Sequence, residues 1–205
     1  MKNSKQHIET VISETFKTLQ KVYNSQQESF NGPKQIDTGS RLLFPSKRNE
    51  DTRISEQELR FVFVEQLNKE IQFGWDVFYS IETPTKASYS GFSTGNPNVD
   101  EKGRSAEVDL CIHDNRFGRI ALIEFKAHNP REEDYLKDLY ELSIKEEEGE
   151  LRYFINILKN ADNGTIKSIN EKIKAYLNCD IIFKFWSLES KGYKDVTEDI
   201  INYQS

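Results

Sequence analysis

Cysteine is scarce in this chain, which has only Cys111 and Cys179 among its 205 residues. Two cysteines without a C-x-x-C pair argue against a disulfide framework or a cysteine-based zinc site, and favour a reducing cytoplasm. Long apolar runs are also missing. No segment approaches the roughly 18 apolar residues of a membrane span, and the N-terminus lacks the apolar core of a signal peptide. We therefore expect a cytoplasmic protein that does not contact a membrane.

Positive charge is in deficit overall. The net charge is -6, although the first 53 residues carry a small positive excess. Proteins that wrap nucleic acid without regard to sequence rely on many lysines and arginines at phosphates, so the acidic total argues against that mode of binding. It leaves open a local nucleic-acid site, especially one where bound cations supply positive charge. The chain also lacks a P-loop, a GxGxxG after a strand, a GxSxG and an HExxH, which excludes the common enzymes built on them.

The composition and the residue pattern predict a globular protein in two parts. Hydrophobic residues make up 36% and charged residues 30% of the chain, as in soluble domains. Apolar residues at helical spacing predict a helix over 5–24, and a polar linker punctuated by Gly and Pro follows to residue 53. We expect an N-terminal helix and linker (1–53) attached to one domain (54–205). The first helix either packs on its own domain or makes a homodimer or partner-protein contact.

The order of predicted helices and strands in residues 54–205 indicates an α/β domain with a mixed sheet flanked by helices. The segment LRYFINILKN from Leu151 fits a helix or a strand, and its β-branched and aromatic residues favour the strand. The polar stretch 84–103 is predicted as a loop, and the acidic run near 146–150 as solvated. The predicted elements are a helix from Ser55, strands at 75–83, 105–113 and 119–127, a helix at 131–146, a strand from Leu151, a helix after Thr165, and a strand at 179–189.

The strand RIALIEFKA carries two charges, Glu124 and Lys126, in an otherwise apolar run. Residues two apart on a strand share a face, and the turn DNRFG pairs this strand with the one carrying Asp109. Two neighbouring carboxylates repel unless a proton or a cation lies between them, and such oxygen ligands suit Mg²⁺ or Mn²⁺. Lys126 can then orient a metal-bound water or accept its proton. Taken alone, Glu124 and Lys126 fit a surface ion pair at a solvated strand end better than a site, and the neighbouring Asp109 and the order of elements favour the site.

Asp109, the tripeptide Glu124-Phe125-Lys126 and a preceding helix with a glutamate are similar to the PD-(D/E)XK nuclease superfamily. Its restriction-endonuclease-like core has the order α-β-β-β-α-β, which residues 54 to about 158 match, roughly half the chain. Val108 stands where the name-giving proline would be. The resemblance implies Mg²⁺- or Mn²⁺-dependent hydrolysis of nucleic acid, DNA rather than RNA, in defence or repair.

The resemblance also implies residue roles. Asp109, Glu124 and the Phe125 carbonyl oxygen would bind the metal, Lys126 would act on the nucleophile, and a helical glutamate would assist. Glu56 and Glu58 are the two candidates for that glutamate.

Positions at 100° intervals favour Glu56 over Glu58. Glu56 falls on the inward face of the helix with Leu59 and Phe63, whereas Glu58 falls on the far side and forms a capping box with Ser55.

Four further residues are candidates for nucleic-acid contacts, because they lie near the hairpin, after the motif strand or on the next helix: Arg104, His128, Arg131 and Lys137. Scattered surface charge explains them equally well. The rival function is a catalytically inactive nuclease-fold module that binds nucleic acid or a protein partner. The acidic balance favours this rival mildly, and the complete set of polar residues favours the enzyme.

Overall fold

The computed structural model describes residues 2–29, 40–46, 52–91, 97–189 and 194–203. The helices are α1 (Ser4–Ser29), α2 (Glu56–Gln72), α3 (Glu132–Ser143), α4 (Asn163–Ile173) and α5 (Thr197–Ile201). The strands are β1 (Phe78–Ser90), β2 (Asn98–Val99), β3 (Arg104–His113), β4 (Arg119–Ala127), β5 (Leu151–Leu158), β6 (Ile182–Ser187) and β7 (Lys194–Asp195).

The strands form one mixed sheet in the order β2-β1-β3-β4-β5-β6-β7. β4, β5 and β6 run parallel, and the other neighbours are antiparallel. Parallel neighbours need a crossover, which α3 supplies between β4 and β5 and α4 between β5 and β6. The predicted mixed sheet flanked by helices is confirmed, as is the strand from Leu151. The two-residue β2 is an insertion in the expected order, and β7 and α5 were not predicted.

The two faces of the sheet bury different clusters. α1 and α2 cover one face, where Ile123 and Phe125 of β4 point, and α3 and α4 cover the other, where Leu122 points. Glu124 and Lys126 alternate with Ile123 and Phe125, so they project on the side of α3. This alternation explains how charged residues occupy a central strand without entering the larger apolar cluster.

α1 buries its apolar side within its own chain. Seven of its apolar residues lie in the same cluster as residues of α2 and of the sheet. This packing is one of the two alternatives expected for the first helix. The proposed boundary at residue 53 stays a prediction, and residues 30–39 and 47–51 of the expected linker lie outside the described residues. The buried residues of α1 are Ile8, Val11, Ile12, Phe16, Leu19, Val22 and Tyr23.

The prediction for β1 was wrong in length. The strand was expected to end near residue 83 but continues to Ser90, through part of the predicted loop. Pro84 lies within the strand although it has no main-chain N–H to donate. It is tolerated because β2 pairs only with the last two residues of β1, so that β1 is an edge strand at Pro84. The register with β3 shifts between Pro84 and Ser88, and the Thr85 hydroxyl there accepts a hydrogen bond from Ala106 N at 2.9 Å.

The acidic run after α3 is exposed at Glu146, Glu148 and Glu150, as predicted, but the prediction was wrong for Glu147, which is completely buried. Its carboxylate accepts hydrogen bonds from Lys86 N and Ala87 N, both at 2.9 Å, and from the Tyr89 hydroxyl at 2.7 Å. Arg119 lies 3.1 Å away. Glu147 therefore fastens the α3–β5 connection to β1.

No helix in the described ranges has both the length and the apolar character needed to cross a membrane.

Candidate active site

Asp109 and Glu124 lie where β3 and β4 separate. The paired register of the two strands reaches Leu110–Ile123, and Asp109 and Glu124 are the next residues past that pair. Asp109 Oδ2 accepts a hydrogen bond from Phe125 N at 2.9 Å. We call this place, where β3 and β4 separate past the Leu110–Ile123 pair, the fork. The Asp109 side chain satisfies the Phe125 N–H there and so holds the two strands together across the fork.

The other Asp109 oxygen contacts an arginine that the sequence did not single out. Arg60 of α2 donates from Nη2 to Asp109 Oδ1, and its Nη1 lies 3.4 Å from Glu82 Oε1. The Arg60 side chain is 21% exposed and that of Asp109 is 16% exposed. The ion pair is thus largely withdrawn from water, where such contacts are stronger than at an open surface.

Glu124 is buried, and one of its carboxylate oxygens has no hydrogen-bond partner among the described residues. The residue is 3% exposed, and that oxygen is Oε1. Burial, followed by the nearby charges of Asp138 and Asp109, raises the pKa of Glu124 well above its ordinary value. A buried carboxyl with a free oxygen beside a second carboxylate either holds a proton or awaits a cation.

Lys126 lies between acids of two helices. It forms an ion pair with Asp138 of α3, and its Nζ lies 3.7 Å from Glu56 Oε1 of α2. Burial alone would lower the pKa of Lys126, but Asp138, Glu56 and Glu124 outweigh it and raise that pKa above its usual value. Of the two roles expected for Lys126, this favours a permanent cation that orients groups over one that accepts a proton.

Glu56 is placed at the site as predicted, on the first turn of α2. Burial raises its pKa, Lys126 opposes that rise, and Asp109 and Asp138 add to it. The prediction for Glu58 was wrong, because Glu58 is buried and accepts a hydrogen bond from the Ser55 hydroxyl. Ser55 makes no side-chain bond to the helix amides, so the capping box is not formed.

α3 adds acids that were not among the predicted site residues. Asp138 is 5% exposed and Glu141 1% exposed, and both face the cluster around Lys126. Neither Glu141 oxygen finds a hydrogen-bond partner in the described part of the chain, and Lys137 Nζ lies 3.8 Å away. Burial, opposed by Lys137 and reinforced by Asp138, raises the pKa of Glu141 to about 8.

The residues present fit a hard divalent cation. Asp109 and Glu124 supply carboxylate oxygens at neighbouring positions on β3 and β4. Glu124 Oε1 accepts no hydrogen bond from any described residue and could serve as a metal ligand. Mg²⁺ commonly takes one or two carboxylates and completes its shell with water and substrate. Over the described ranges, no group of three or more histidine, cysteine, aspartate or glutamate side chains is arranged to hold a metal ion.

Two of the four predicted nucleic-acid contacts come together. Arg104 and Lys137 line one cavity of about 660 Å³ between the β1–β3 end and α3, together with Lys102. Lys102 and Arg104 form no ion pair with any described residue, whereas Lys137 lies near Glu141. Glu107, two residues before Asp109 on β3, also lines the cavity. The cavity and the fork are therefore neighbours along β3.

His128 and Arg131 lie elsewhere. His128 Nε2 donates to Ile54 O at 2.9 Å and so ties the end of β4 to the approach of α2. It borders a separate cavity of about 380 Å³ with Glu56. Arg131 precedes α3, is 76% exposed and lies near Glu133 and Asp134.

Comparison with protein-family models, with curated proteins and with solved structures finds no match to this chain.

Arg60, Asp138 and Glu141 are residues at the site that were not among the predicted site residues. Arg60 is four residues after Glu56 on α2, and residues four apart share a helix face. That spacing was a usable signal for Arg60. The sequence signal for Asp138 was weaker. Asp138 directly precedes Leu139, which is buried on α3.

Proposed function

We propose that this chain is a divalent-metal-dependent nuclease of the PD-(D/E)XK type, with a restriction-endonuclease-like core and DNA rather than RNA as its substrate. A reducing cytoplasm, suggested by the two free cysteines, is part of the proposal. The observation that carries it is the fork itself. Asp109 bridges to the main chain of Phe125, one buried oxygen of Glu124 has no hydrogen-bond partner within the described ranges, and Lys126 lies on the same strand.

In this proposal Asp109, Glu124 and the Phe125 carbonyl oxygen hold Mg²⁺ or Mn²⁺. Such an ion polarises a phosphoryl oxygen and makes a bound water more acidic. Lys126 orients the attacking water and offsets the negative charge that develops on the phosphate, because it stays protonated. Glu56, whose pKa is raised and whose side chain is 40% exposed, is better suited than Lys126 to take up the water's proton.

The cavity beside α3 supports nucleic acid as the substrate. Phosphate oxygens are bound by Lys and Arg side chains, and Lys102, Arg104 and Lys137 converge there in a protein of net charge -6. Lys102 and Arg104 have no carboxylate partner among the described residues, so their charge is available to a ligand. A phosphodiester strand lying along β3 would pass from this cavity to Asp109.

The test is a cleavage assay with the full chain on labelled DNA and RNA strands, single and double, in Mn²⁺, in Mg²⁺ and in excess chelator. Lys126→Met removes the ammonium, and Lys167→Met on the exposed side of α4 is a matched control. We expect K126M to lower the cleavage rate at least about a hundredfold, as loss of a catalytic polar group does. The control should cleave at the parental rate.

Cleavage that persists in excess chelator, or at the parental rate in K126M, would refute the mechanism. A thermal melt of each variant separates loss of activity from loss of folding.

One observation favours the alternative, a catalytically inactive nuclease-fold module that binds nucleic acid or a protein partner. Arg60 already neutralises Asp109, and Lys126 is shared by Asp138 and Glu56. A site whose charges are satisfied internally has less need of an ion. The alternative predicts no hydrolysis of any strand in Mn²⁺, with binding of nucleic acid or a protein unaffected by chelator.

A further inference from the structure

Both carboxylate oxygens of Asp109 have a hydrogen-bond partner in this structure. Oδ1 accepts from Arg60 and Oδ2 accepts from Phe125 N. The main-chain contact belongs to the fork, but the guanidinium contact comes from another element, α2. A divalent cation bound by Asp109 would lie beside the Arg60 guanidinium, so the two positive charges would repel each other and compete for the same carboxylate.

We propose that Arg60 is a built-in competitor for the divalent cation, which neutralises Asp109 in the metal-free protein and gives it up when the ion binds. This inference rests on the proposed function. It assigns a role to a residue that the functional proposal does not use.

Charge at the fork gives the physical reason for such a residue. Asp109, Glu124, Glu56 and Asp138 influence one another electrostatically, and Lys126 and Lys137 are further cations that act on members of this group. Without a further positive charge, the repulsion between these acids would force protonation or disorder of the side chains. Arg60 supplies that charge and holds Asp109 in the orientation in which it bridges to β4.

Glu82 offers Arg60 a second position. The Nη1 atom is already 3.4 Å from Glu82 Oε1, and the Glu82 side chain is 65% exposed. A guanidinium carries five N–H donors, so it can turn from Asp109 towards Glu82 without losing every partner. The Nε of Arg60 is buried and finds no acceptor among the described residues, so Arg60 is held by its end groups alone.

The experiment measures Mn²⁺ affinity by electron paramagnetic resonance and by calorimetry, with no substrate present. Arg60→Gln removes the competing charge, Arg60→Lys keeps a cation, and Arg53→Gln is the control. Arg53 lines the same cavity as Glu56 and lies 3.8 Å from Glu58, so it is close to the fork but makes no contact with Asp109. Asp109→Asn shows which part of the binding belongs to the fork.

We expect R60Q to bind Mn²⁺ about tenfold more tightly than the parent, as the release of one charge contact allows. R60K should lie between the two, and R53Q should differ from the parent by less than about twofold. Mn²⁺ should also raise the melting temperature of R60Q by more than it raises that of the parent.

Parental or weaker Mn²⁺ affinity in R60Q overturns the inference, and so does an equal gain in R53Q. If R60Q does not fold, parental or weaker affinity in R60K overturns it instead. When the parent binds Mn²⁺ and D109N does not, the proposed function stands even if R60Q fails. Absence of Mn²⁺ binding in the parent and in every variant refutes both proposals.

Discussion

Lys126 of β4 forms an ion pair with Asp138 of α3, so the lysine of the candidate site is fixed from the helix that follows its own strand. The pair is almost completely buried, with the lysine side chain 11% and the aspartate side chain 7% exposed. Breaking one partner of such a pair leaves a charge that water cannot reach. Asp138 therefore controls both the position and the protonation of Lys126.

Asp138→Asn is expected to lower the pKa of Lys126. Burial already favours the neutral amine, and Asp138 is the largest of the charges that oppose it. The measurement is a pH titration of the lysine ¹³Cε resonance, assigned with K126M. Asp134→Asn, on the exposed first turn of α3, is the control and should leave that resonance unchanged. An unaltered titration of Lys126 in D138N would contradict this account of the pair.

Glu141→Gln is expected to remove a pH dependence of stability. The pKa of Glu141 is raised from 4.5 to about 8, chiefly by burial. Between these values the folded protein keeps the proton that the unfolded chain has released, so this group makes the free energy of unfolding fall as pH rises. The advantage of E141Q over the parent should therefore grow from pH 5 to pH 8 and then level off. Urea unfolding at several pH values measures it, and parallel curves for the two proteins would contradict it.

Glu147→Ala should destabilise the fold strongly. It leaves two main-chain amides, the Tyr89 hydroxyl and the Arg119 guanidinium without their acceptor. We expect a loss of roughly 3 to 5 kcal/mol in the free energy of unfolding, as for a broken buried ion pair. The adjacent Glu148→Ala is the control.

Glu148 is 72% exposed and lies 3.5 Å from Lys86. E148A should cost less than about 0.5 kcal/mol, as surface changes do. Chemical denaturation compares the two variants, and equal effects would show that Glu147 does not fasten β1.

Much of the fold follows from the sequence because apolar alternation is strong in β3, β4 and β5. The same alternation placed Asp109, Glu124 and Lys126 near one another, since strand register fixes which residues are neighbours. The predicted β1 ended too early because Pro84 and the polar residues after it show no alternation of apolar and polar residues. Glu147 was read as solvated because burial of one glutamate within an acidic run leaves no trace in the pattern.

The partners of the site were harder to predict. Arg60 and Asp138 lie on helices whose polar residues look alike in sequence, and each reaches the fork by a long-range contact, 49 residues away for Arg60 and Asp109. Helical spacing favoured Glu56, which lies 3.7 Å from Lys126 and whose helix neighbours Leu59 and Phe63 are buried. It misplaced Glu58 because the side chain turns back to Ser55.

Charge reversal in the cavity beside α3 should weaken binding of nucleic acid. Lys102→Glu and Arg104→Glu each remove one phosphate contact in the proposed function. Each should reduce the dependence of log affinity on log salt by about one. Fluorescence anisotropy with labelled strands in chelator measures this without cleavage. Lys167→Glu is the control, because Lys167 lies on exposed α4 beside Glu171. Equal weakening in the control would assign the effect to overall charge rather than to the cavity.

The most direct test of the central claim is a crystal of the full chain soaked in Mn²⁺, with the ion located by its anomalous scattering. We expect one strong anomalous-difference peak within roughly 2.0 to 2.5 Å of carboxylate oxygens of both Asp109 and Glu124. Arg60 should have moved off Asp109 in the same map. A saturating soak that leaves no peak at these two side chains, with Arg60 still on Asp109, would contradict it.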